Sequence, residues 1–527
     1  MSDAPVDEVR AAEIISALCL ATDLGMGFPL EHGLNSTLVA MRVADLLDVD
    51  RDTAVQTYYG CLLFYVGCTA DAEITAEMFE DGALLTHFTP AMFGSQREIL
   101  TGIVKALAGP ASPAPLRAAR AIGRLPKAAR GHRQHIDALC QVARMLSARL
   151  GMSAPVRDLF ESMTERWDGK GMPSGIGVDA LPLALRIVHV ARDATFQSLL
   201  WDDHEAAEII RRRGGGAFDP EIAARVADDF TALTQSSESA WRAVLDREPQ
   251  PRLVLKGEGI DEALAAIADF TDLIAPDLAG HSSGVSTLAS AAARVLGMTD
   301  EEVAAVRRAG LVHDIGRVAV PARIWLQSRP LSSEDWEQVR LHAYHSERVM
   351  SHSPFLLQLS RIASYHHERL DGSGYHRGAE APAISRAARL LAAADTFHAK
   401  TEPRPHRDAM SHQAAAELLG REAAAGRLDP DCVAAVITAA GLPAPKTPRP
   451  AGLTDREAQV LGLVTRGLQT KQVATTLGIS VKTADRHIQN AYAKIGVSTR
   501  AAAAVFAMRH GLVAWGELPI PGDRQRS

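Results

Sequence analysis

Cysteine is scarce in this sequence. Its 527 residues include five cysteines, at Cys19, Cys61, Cys68, Cys140 and Cys432. They are scattered, odd in number and without a CxxC pair, so neither a disulfide framework nor a zinc knuckle is expected. Free thiols of this kind favour a reducing cytoplasm as the location of the protein.

Aromatic residues are also few, at 5% of the chain, whereas Ala and Leu dominate. That mixture favours helix over strand. Apolar residues recur with helical spacing in most segments, and Asp261–Leu273 and Asp300–Leu311 are two examples. We therefore predict an all-α fold.

A long apolar run and a strong net charge are both missing. No stretch approaches the ~20 apolar residues of a membrane span, and no basic-then-apolar leader is visible, so no membrane contact is expected. The net charge of −7 argues against a chain that coats nucleic acid along its whole length. A local basic region can still be hidden within that average.

Two segments rich in Pro, Gly and charge divide the chain. Arg247–Gly259 mixes all three, and the proline-rich Gly441–Gly452 cannot continue a helix. They separate three expected domains, which cover residues 1–246, 260–440 and 453–527.

The sequence contains an internal repeat. Three pairs of segments match in the same order along the chain. The segment that contains His32 matches the segment that contains His281. Glu165–Pro173 matches Glu368–His376, and Phe218–Val226 matches Leu428–Val436. A duplication is the favoured interpretation, and chance similarity between two alanine-rich helical segments is the alternative.

The two copies differ in the residues that carry chemistry. The first copy has Phe64–Tyr65 where the second has His313–Asp314, and Met163–Thr164 where the second has His366–His367. We therefore interpret the first copy as a scaffold, dimerisation or sensing domain without a catalytic metal.

Histidines and aspartates of the second copy form a candidate metal site. His313 and Asp314 end a helical run, and neighbours on a helix point about 100° apart, so they can serve two sides of one site. A carboxylate can bridge two cations while imidazoles fill other positions, and bound divalent ions promote phosphoester hydrolysis. Further candidate ligands are His281, His342, His366, His367 and Asp395. Surface or core positions are expected instead for His345, His352, His398, His406 and His412.

The motifs HDIG and HHERLDGSGY, followed by a helix that ends in AAAD, resemble the HD-GYP branch of the HD phosphohydrolase superfamily over residues 260–440. The resemblance implies an all-helical fold, two or three divalent metal ions (iron or manganese) and hydrolysis of cyclic di-GMP. As metal ligands it assigns His281, His313, Asp314 (bridging), His342, His366, His367 and Asp395. As catalytic residues it assigns His313, Asp314 and Arg317. As substrate-binding residues it assigns Arg317, Asp371, Gly374 and Tyr375.

This sequence departs from the family pattern at three positions. Arg317 replaces the lysine of HDIGK, which keeps a positive charge for phosphate with a different geometry. His376 stands where the family has the proline of GYP, and His398 stands where a second aspartate usually follows Asp395.

A basic module is expected at the end of the chain. Residues 453–513 contain eight Lys or Arg and three Asp or Glu. Helices are predicted over Lys471–Leu477 and Val481–Ile495, joined by a glycine-containing turn in which Ser480 caps the second helix. The alternative is a helical dimerisation hairpin that never meets DNA.

The module also resembles the LuxR-type helix-turn-helix, through its LTxRExxVL opening, the TxxxH of its recognition helix and AKIGVSTR. The resemblance implies that double-stranded DNA is a partner and that the four-helix module follows tandem HD-type domains. As DNA-facing residues it assigns Lys482, Thr483, Arg486 and His487, and near phosphates it assigns Lys471, Lys494 and Arg500. Core positions are expected for Val473, Leu477, Ile479, Ile488 and Ile495.

These observations predict a DNA-binding transcriptional regulator whose metal-dependent phosphohydrolase domain acts on or senses a nucleotide signal. The resemblance to HD-GYP proteins implies that this signal is a cyclic dinucleotide, with cyclic di-GMP as the usual substrate of the family. A homodimer is expected, because such modules bind DNA as dimers. One alternative is a transcription factor whose HD domain binds a ligand without turnover, which Arg317 and His376 motivate. Another is a phosphodiesterase with an incidental tail.

Overall fold

The computed structural model describes residues 8–67, 89–108, 136–443 and 449–513. In these residues the regular structure is helical, apart from one short antiparallel pair of strands, Glu8–Arg10 and Val254–Lys256. The all-α prediction is confirmed. Cys68, part of the proline-rich linker (444–448) and the last residues of the predicted third domain (514–527) lie outside the described residues. Among the described helices, none has the length and apolar character that a membrane span requires.

The chain separates into two compact units, each built from segments that are distant in sequence. The first unit comprises Met1–Gly280 and Asp314–Leu357, and the second comprises His281–His313 and Gln358–Ser527. The division into domains 1–246, 260–440 and 453–527 stays a prediction.

The first unit packs its helices around a buried first helix, Ala11–Met26. This helix is buried on all sides over its first three turns, which is typical of a central core helix. The long helices of the first unit are Ala11–Met26, His32–Leu46, Arg51–Leu62, Gln96–Ala108, 136–149, Leu183–Leu200, Asp203–Arg213 and Glu258–Asp272. Its shorter helices are Ala154–Asp158, Pro220–Asp228, Phe230–Thr234, Ala240–Asp246, Ala322–Leu326, Ser333–Arg340 and His342–Met350.

The strand Val254–Lys256 lies in the segment Arg247–Gly259, where the sequence predicts a linker. It pairs with Glu8–Arg10 in the register Val9 opposite Leu255. Each strand has three residues, which is too short for an alternating pattern to be visible in the sequence.

The second unit is organised around the helix His281–Val295, which packs against Asp300–Val312, Arg386–Thr401 and Pro430–Ala439. Gly310 permits one of these contacts, because a Cβ there would lie 2.8 Å from the Cα of Ser286. The other helices of the second unit are His412–Ala424, Asp455–Thr465, Thr470–Thr476, Val481–Ile495 and Arg500–Arg509. The helix Pro354–Ala363 begins in the first unit and ends in the second.

The helix Asp300–Val312 shows how local sequence sets a boundary. Thr299 accepts a hydrogen bond from the backbone N–H of Glu302, and the Glu302 carboxylate accepts one from the N–H of Thr299. A reciprocal cap of this kind stabilises a helix start by ~1 kcal/mol. The prediction of a helix over Asp300–Leu311 is confirmed, with one further residue at its end.

Residues 449–513 contain four helices around two small apolar clusters. The predicted helix Lys471–Leu477 is observed one residue earlier, as Thr470–Thr476, and the helix Val481–Ile495 is observed with the predicted bounds. Val473 is fully buried, and the other predicted core residues pack against the clusters. The helix-turn-helix prediction is confirmed at the level of the fold.

Candidate metal centre and nucleic-acid interface

Two packed helices of the second unit bring His281 and Asp395 together. His281 begins its helix and is fully buried, and Asp395 lies on Arg386–Thr401 with 3% of its surface exposed. The Nε2 atom of His281 lies 3.3 Å from Oδ1 of Asp395. The Nδ1–H of the same ring donates to Oε2 of Glu402 at 2.8 Å, which fixes the orientation of the imidazole.

Backbone carbonyls orient the imidazoles of His313 and His366. Nδ1 of His313 lies 2.7 Å from the carbonyl oxygen of Gly310, and Nδ1 of His366 lies 2.6 Å from that of Ala363. A carbonyl can only accept a hydrogen bond, so Nδ1 carries the proton in both rings and the Nε2 lone pair is directed away. This is the tautomer that a metal-binding histidine needs.

These imidazoles gather around the Asp395 carboxylate. The ring centroids of His313 and His366 lie 4.8 Å apart, and those of His366 and His367 lie 4.0 Å apart. His313 Nε2 lies 3.9 Å from Oδ1 of Asp395, and His367 Nδ1 lies 3.8 Å from Oδ2. One possible ligand atom from each of His281, His313 and Asp395 falls within 4.8 Å of the others.

The electrostatics keep Asp395 ionised. Burial by itself would raise the pKa of this carboxyl, but the hydrogen bond from His281 and the imidazoles of His367 and His366 hold its pKa well below the usual range. A buried carboxylate surrounded by imidazoles is a donor set that suits iron, manganese or zinc. These groups of the second unit can therefore hold a divalent metal ion.

His398 and Glu402 lie next to this cluster, and the sequence analysis named neither of them as a ligand. Nδ1 of His398 lies 3.1 Å from Oε1 of Glu402, and its ring lies 5.6 Å from that of His281. The expectation of a surface or core position for His398 stays a prediction. Gly284 makes room for this imidazole, since a Cβ there would lie 2.0 Å from Nε2 of His398. The sequence signal that could have identified them is their helical spacing. His398 and Glu402 follow Asp395 by three and seven residues, which places all three on one face of a helix.

The first unit holds the remaining predicted ligands, Asp314 and His342. Asp314 is joined to His313 by a peptide bond and is fully buried. Nε2 of His342 lies 3.3 Å from Oδ1 of Asp314, and Nδ1–H of His342 donates to the carbonyl oxygen of Val339. The arrangement repeats that of His313, with a carbonyl three residues earlier as the acceptor.

Glycine is required in the HDIG motif. A Cβ at Gly316 would lie 2.2 Å from the carbonyl oxygen of His342, so any other residue would displace the helix that begins there. The backbone N–H of Gly316 donates to the Ser346 hydroxyl at 2.9 Å.

Arg317 is buried in the first unit and donates to the Asp314 carboxylate through Nη2. Its guanidinium lies 5.3 Å from the centre of the Trp325 ring. Among the described residues, Nε and Nη1 of Arg317 have no hydrogen-bond partner. The side chain therefore holds a carboxylate and keeps further N–H donors for an anionic group.

The predicted substrate residues lie on one loop of the second unit. The Tyr375 ring packs 4.7 Å from that of His367. A Cβ at Gly374 would lie 2.4 Å from the backbone nitrogen of Arg369, so the loop closes only with glycine. Asp371 is exposed, and its Oδ1 accepts from the N–H and hydroxyl of Ser373, so this carboxylate shapes the loop.

Matching contacts in the two copies fix the register of the repeat. Arg186 in the first copy donates through Nε to the carbonyl of Leu181 and through Nη1 to Asp219. Arg389 in the second copy makes the same two kinds of bond, to Ile384 and Asp429. The register that pairs Glu165 with Glu368 therefore also pairs Arg186 with Arg389.

In this register Arg192 of the first copy stands in the place of Asp395. The Arg192 side chain is buried, and its guanidinium lies 4.7 Å from the centre of the Phe64 ring and 4.2 Å from that of Tyr65. These rings replace His313 and Asp314 of the second copy. The first copy thus has a fixed guanidinium on aromatic faces where the second copy gathers imidazoles around a carboxylate.

His32 matches His281 but lies in different surroundings. Its ring stacks on Phe28 at 4.5 Å. Burial, helped by the charge of Arg192, lowers the pKa of His32 to about 3, so the imidazole is neutral. The histidine that matches His281 in the sequence is therefore part of an aromatic core.

The predicted base-reading residues lie on an accessible helix face. Lys482, Thr483 and Arg486 are exposed near the start of Val481–Ile495, and His487 is half-buried. Ser480 caps this helix by accepting from the N–H of Thr483 at 3.1 Å. The face is therefore available to a DNA groove.

The residues predicted near phosphates fall into two groups. Lys471 is exposed. Lys494 instead donates to Oε2 of Glu457 at 2.6 Å, and Arg500 donates to the carbonyl oxygens of Gly467 and Leu468. Both of these cations hold the module together in the observed structure, and their contacts with DNA stay a prediction.

Two family models match the chain. The HD domain model matches residues 266–432, and the model described as bacterial regulatory proteins, luxR family, matches residues 451–507. The segments coincide with those that carry the two sets of motifs.

Three similar proteins are named as phosphodiesterases. The 3'3'-cGAMP-specific phosphodiesterase 3 of Vibrio cholerae is 27% identical over 82% of this chain and 95% of its own length. The 3'3'-cGAMP-specific phosphodiesterase 1 of the same organism is 33% identical over 32% of this chain and 40% of its own. The cyclic di-GMP phosphodiesterase response regulator RpfG of Xanthomonas campestris is 32% identical over 41% of this chain and 58% of its own.

A solved structure shows the same fold. The crystal structure of a cyclic GMP-AMP-specific phosphodiesterase of V. cholerae matches with a TM-score of 0.57 and 24% identity, over 82% of this chain and 98% of that one. The resemblances drawn from the motifs are confirmed. The chain carries an HD domain with HD-GYP-type phosphodiesterase homologues, followed by a LuxR-type DNA-binding domain.

Proposed function

We propose that this protein is a DNA-binding regulator whose HD domain hydrolyses a 3',3'-linked cyclic dinucleotide with the help of bound metal ions. The observation that carries the proposal is the buried carboxylate of Asp395 with the imidazoles of His281, His313, His366 and His367 gathered around it. Such an arrangement of donors supports the binding of a divalent cation.

The residues divide into ligands and groups that orient them. The proposed ligands are His281, His313, Asp314, His342, His366, His367 and Asp395, for two or three iron or manganese ions. When bound, such ions lower the pKa of a coordinated water and neutralise phosphate charge. Glu402 and the carbonyls behind the imidazoles hold the rings in position.

Arg317 and the loop that contains Gly374 and Tyr375 are proposed to bind the substrate. Arg317 has N–H donors left for a phosphate oxygen, and the Tyr375 ring offers a flat face for a base next to His367. The relatives are named for 3'3'-cGAMP or for cyclic di-GMP, so both are candidate substrates.

The DNA-binding domain supports a role in transcription. Its exposed Lys482, Thr483 and Arg486 are proposed to enter the major groove of double-stranded DNA, with a homodimer bound to two half-sites. Because DNA is the proposed partner, the cytoplasm is the proposed location of the protein. The proposed domains are 1–246, 260–440 and 453–527.

A combined metal and hydrolysis measurement tests the enzymatic part. Purified full-length protein with iron or manganese should contain at least one metal ion per chain and should linearise 3'3'-cGAMP, cyclic di-GMP or both. Asp395→Asn should remove most of the metal and the activity. His412→Ala, an exposed histidine of the same unit, is the matched control and should change neither.

A second candidate function is sensing without turnover. It is favoured by the contact of Arg317 with Asp314, which occupies part of the guanidinium that a phosphate would use. Tight binding of a cyclic dinucleotide by metal-loaded protein, with no linear product after long incubation, would replace the enzymatic proposal with this one.

A further inference from the structure

One helix carries both a proposed metal ligand and a contact with the DNA-binding domain. Asp395 lies in the middle of Arg386–Thr401, and Arg389 lies nearer its start. Arg389 is 5% exposed, and its Nη1 donates to the carbonyl oxygen of Gly511. Gly511 lies in the turn that follows Arg500–Arg509, the last helix of the DNA-binding domain.

Arg389 also makes the two hydrogen bonds, one to a carbonyl and one to an aspartate, that Arg186 makes in the first copy. Its Nε donates to the carbonyl of Ile384 at 2.9 Å, and Nη1 donates to Oδ2 of Asp429 at 3.1 Å. Arg186 donates to Leu181 at 2.7 Å and to Asp219 at 3.3 Å in the same way. The bond to Gly511 is therefore an addition to a contact set that the fold already satisfies.

The turn at Gly511 contacts the two residues that flank the proposed substrate-binding loop, residues 371–380. The positive φ of 70° at Gly511 suits glycine, and a Cβ there would lie 3.4 Å from Cδ1 of Leu370 and 3.5 Å from Cβ of Ala381. Leu370 and Ala381 flank the loop that contains Gly374 and Tyr375, and the N–H of Ala381 donates to the carbonyl of Leu370 at 2.9 Å. We call Leu370, Ala381 and Arg389 the loop seat.

A second contact holds the other end of the DNA-binding domain. The side chain of Arg449, 9% exposed, pairs with Asp431 of the HD domain and with Asp455 at the start of Asp455–Thr465. Between this contact and the loop seat lies a cavity of about 830 Å³. Polar contacts at Arg389 and Arg449 thus lie on either side of this cavity. Interfaces between domains of one chain commonly permit relative motion.

We propose that the loop seat couples nucleotide binding to DNA binding. The inference rests on the proposed function, because it requires a cyclic dinucleotide to bind at the loop. A nucleotide that orders the loop fixes Leu370 and Ala381, and these residues support the turn at Gly511. The two ligands then influence each other by the same factor, as thermodynamic linkage requires.

The structure also indicates the sign of the coupling. Lys482, Thr483 and Arg486 are exposed while the turn at Gly511 contacts the loop seat. The DNA-binding face is therefore accessible when this contact is made. An ordered loop favours this single arrangement and reduces the ordering cost of DNA binding. The nucleotide is therefore expected to tighten DNA binding by ~5-fold or more.

The test measures DNA affinity in metal-loaded, full-length protein, with and without a hydrolysis-resistant phosphorothioate analogue of 3'3'-cGAMP or cyclic di-GMP. Gly511→Val crowds Leu370 and Ala381 and leaves the bond of Arg389 to Asp429 in place. It should keep analogue binding and basal DNA binding and should lose the tightening. Arg389→Gln is a second variant with the same expected loss.

Matched controls separate coupling from a general loss of stability. Gly297→Val changes a glycine with a similar φ of 69° that has open space around it, and Arg186→Gln changes the equivalent arginine of the first copy. Both should retain the tightening. Hydrogen exchange of residues 371–380 should slow with the analogue in the wild type and in both controls.

Two results would overturn the coupling. One is an unchanged DNA affinity when the analogue saturates the wild-type protein, which leaves the proposed hydrolysis and DNA binding intact. The other is full tightening in both Gly511→Val and Arg389→Gln. Failure of the analogue to bind any metal-loaded protein would overturn the proposed function, and the coupling with it.

Discussion

Arg192 in the first copy and Asp395 in the second occupy the same position of the repeat and carry opposite charges. Arg192 lies over the faces of Phe64 and Tyr65, whereas Asp395 lies among imidazoles. One substitution would not convert either site into the other, because the surrounding residues changed with the central charge. The first copy is therefore a site with its own fixed cation.

The role of Arg192 can be tested by replacing it with aspartate, the residue at the matching position of the second copy. Arg192→Asp places a carboxylate against the negative faces of two aromatic rings without a partner, so the free energy of unfolding should fall by ~3 kcal/mol or more. Bound metal should not increase, because Phe64 and Met163 offer no ligand. Scanning calorimetry and metal analysis check this. Arg97→Asp, at an exposed position of the same unit, should leave stability almost unchanged.

The buried Asp23 predicts a specific pH dependence. Burial raises the pKa of Asp23 to about 7, against the opposing effects of the Gly33 N–H and of Arg192. The unfolded chain releases this proton near pH ~4. The contribution of Asp23 to stability is therefore complete below pH ~4 and is lost as the pH rises to about 7.

Asp23→Asn removes this titration. Relative to the wild type, the variant should gain stability steadily between pH ~4 and about 7, as measured by chemical unfolding at a series of pH values. Parallel curves for the two proteins would contradict the assignment of the titration to Asp23.

Glu402 should matter for metal affinity although it is proposed only to orient His281. Glu402→Gln keeps an acceptor for Nδ1–H of His281 but removes the negative charge. Loss of such a partner weakens metal binding by roughly 10- to 100-fold. Titration against a competing chelator measures the change. Glu417→Gln, exposed on the next helix, should bind metal like the wild type, and an equal effect in both variants would refute the role.

Arg317 is expected to contribute to substrate binding. Arg317→Gln removes a charged donor from a buried position and should lower kcat/KM by roughly tenfold or more. Arg317→Lys should recover part of this loss, because the charge is kept without the fork of donors. Steady-state kinetics with metal content measured in parallel provide the check. The exposed Arg340→Gln serves as the control, and unchanged kinetics in both Arg317 variants would exclude the role.

DNA binding should depend on the exposed face of the recognition helix. Arg486→Ala and Lys482→Ala should each weaken binding by ~1–3 kcal/mol, which is about 5- to 150-fold in Kd. The affinity of the wild type should fall steeply with salt. Anisotropy titrations at several salt concentrations measure both effects. Arg421→Ala, exposed outside the module, should bind normally, and salt-independent binding would argue against a phosphate-contacting module.

Much of the fold and of the site could be predicted because both leave local patterns. The doublets His313–Asp314 and His366–His367 stand out in the sequence, and the capped helix Val481–Ile495 is visible from Ser480 and its charges. The strand Val254–Lys256 was missed because three residues are too few for an alternating pattern to appear.

Other features could not be predicted because they depend on contacts distant in sequence. Glu402 is a single carboxylate without a motif, and its role follows only from its distance to His281. Arg192 was missed because the segment around it resembles its counterpart only in its contacts. The bond from Arg389 to Gly511 involves a backbone carbonyl, which no sequence pattern marks.

The guanidinium of Arg192 has a practical consequence for anyone who purifies this protein. A chain from which a chelator has removed bound metal should retain the aromatic and cationic core of its first half, because that core contains no proposed metal ligand. Its helical content and the exposure of its proposed DNA-binding face should therefore change little when metal is removed. The yield and the elution profile should therefore give no information about metal loading, and metal analysis should accompany every assay of the proposed hydrolysis.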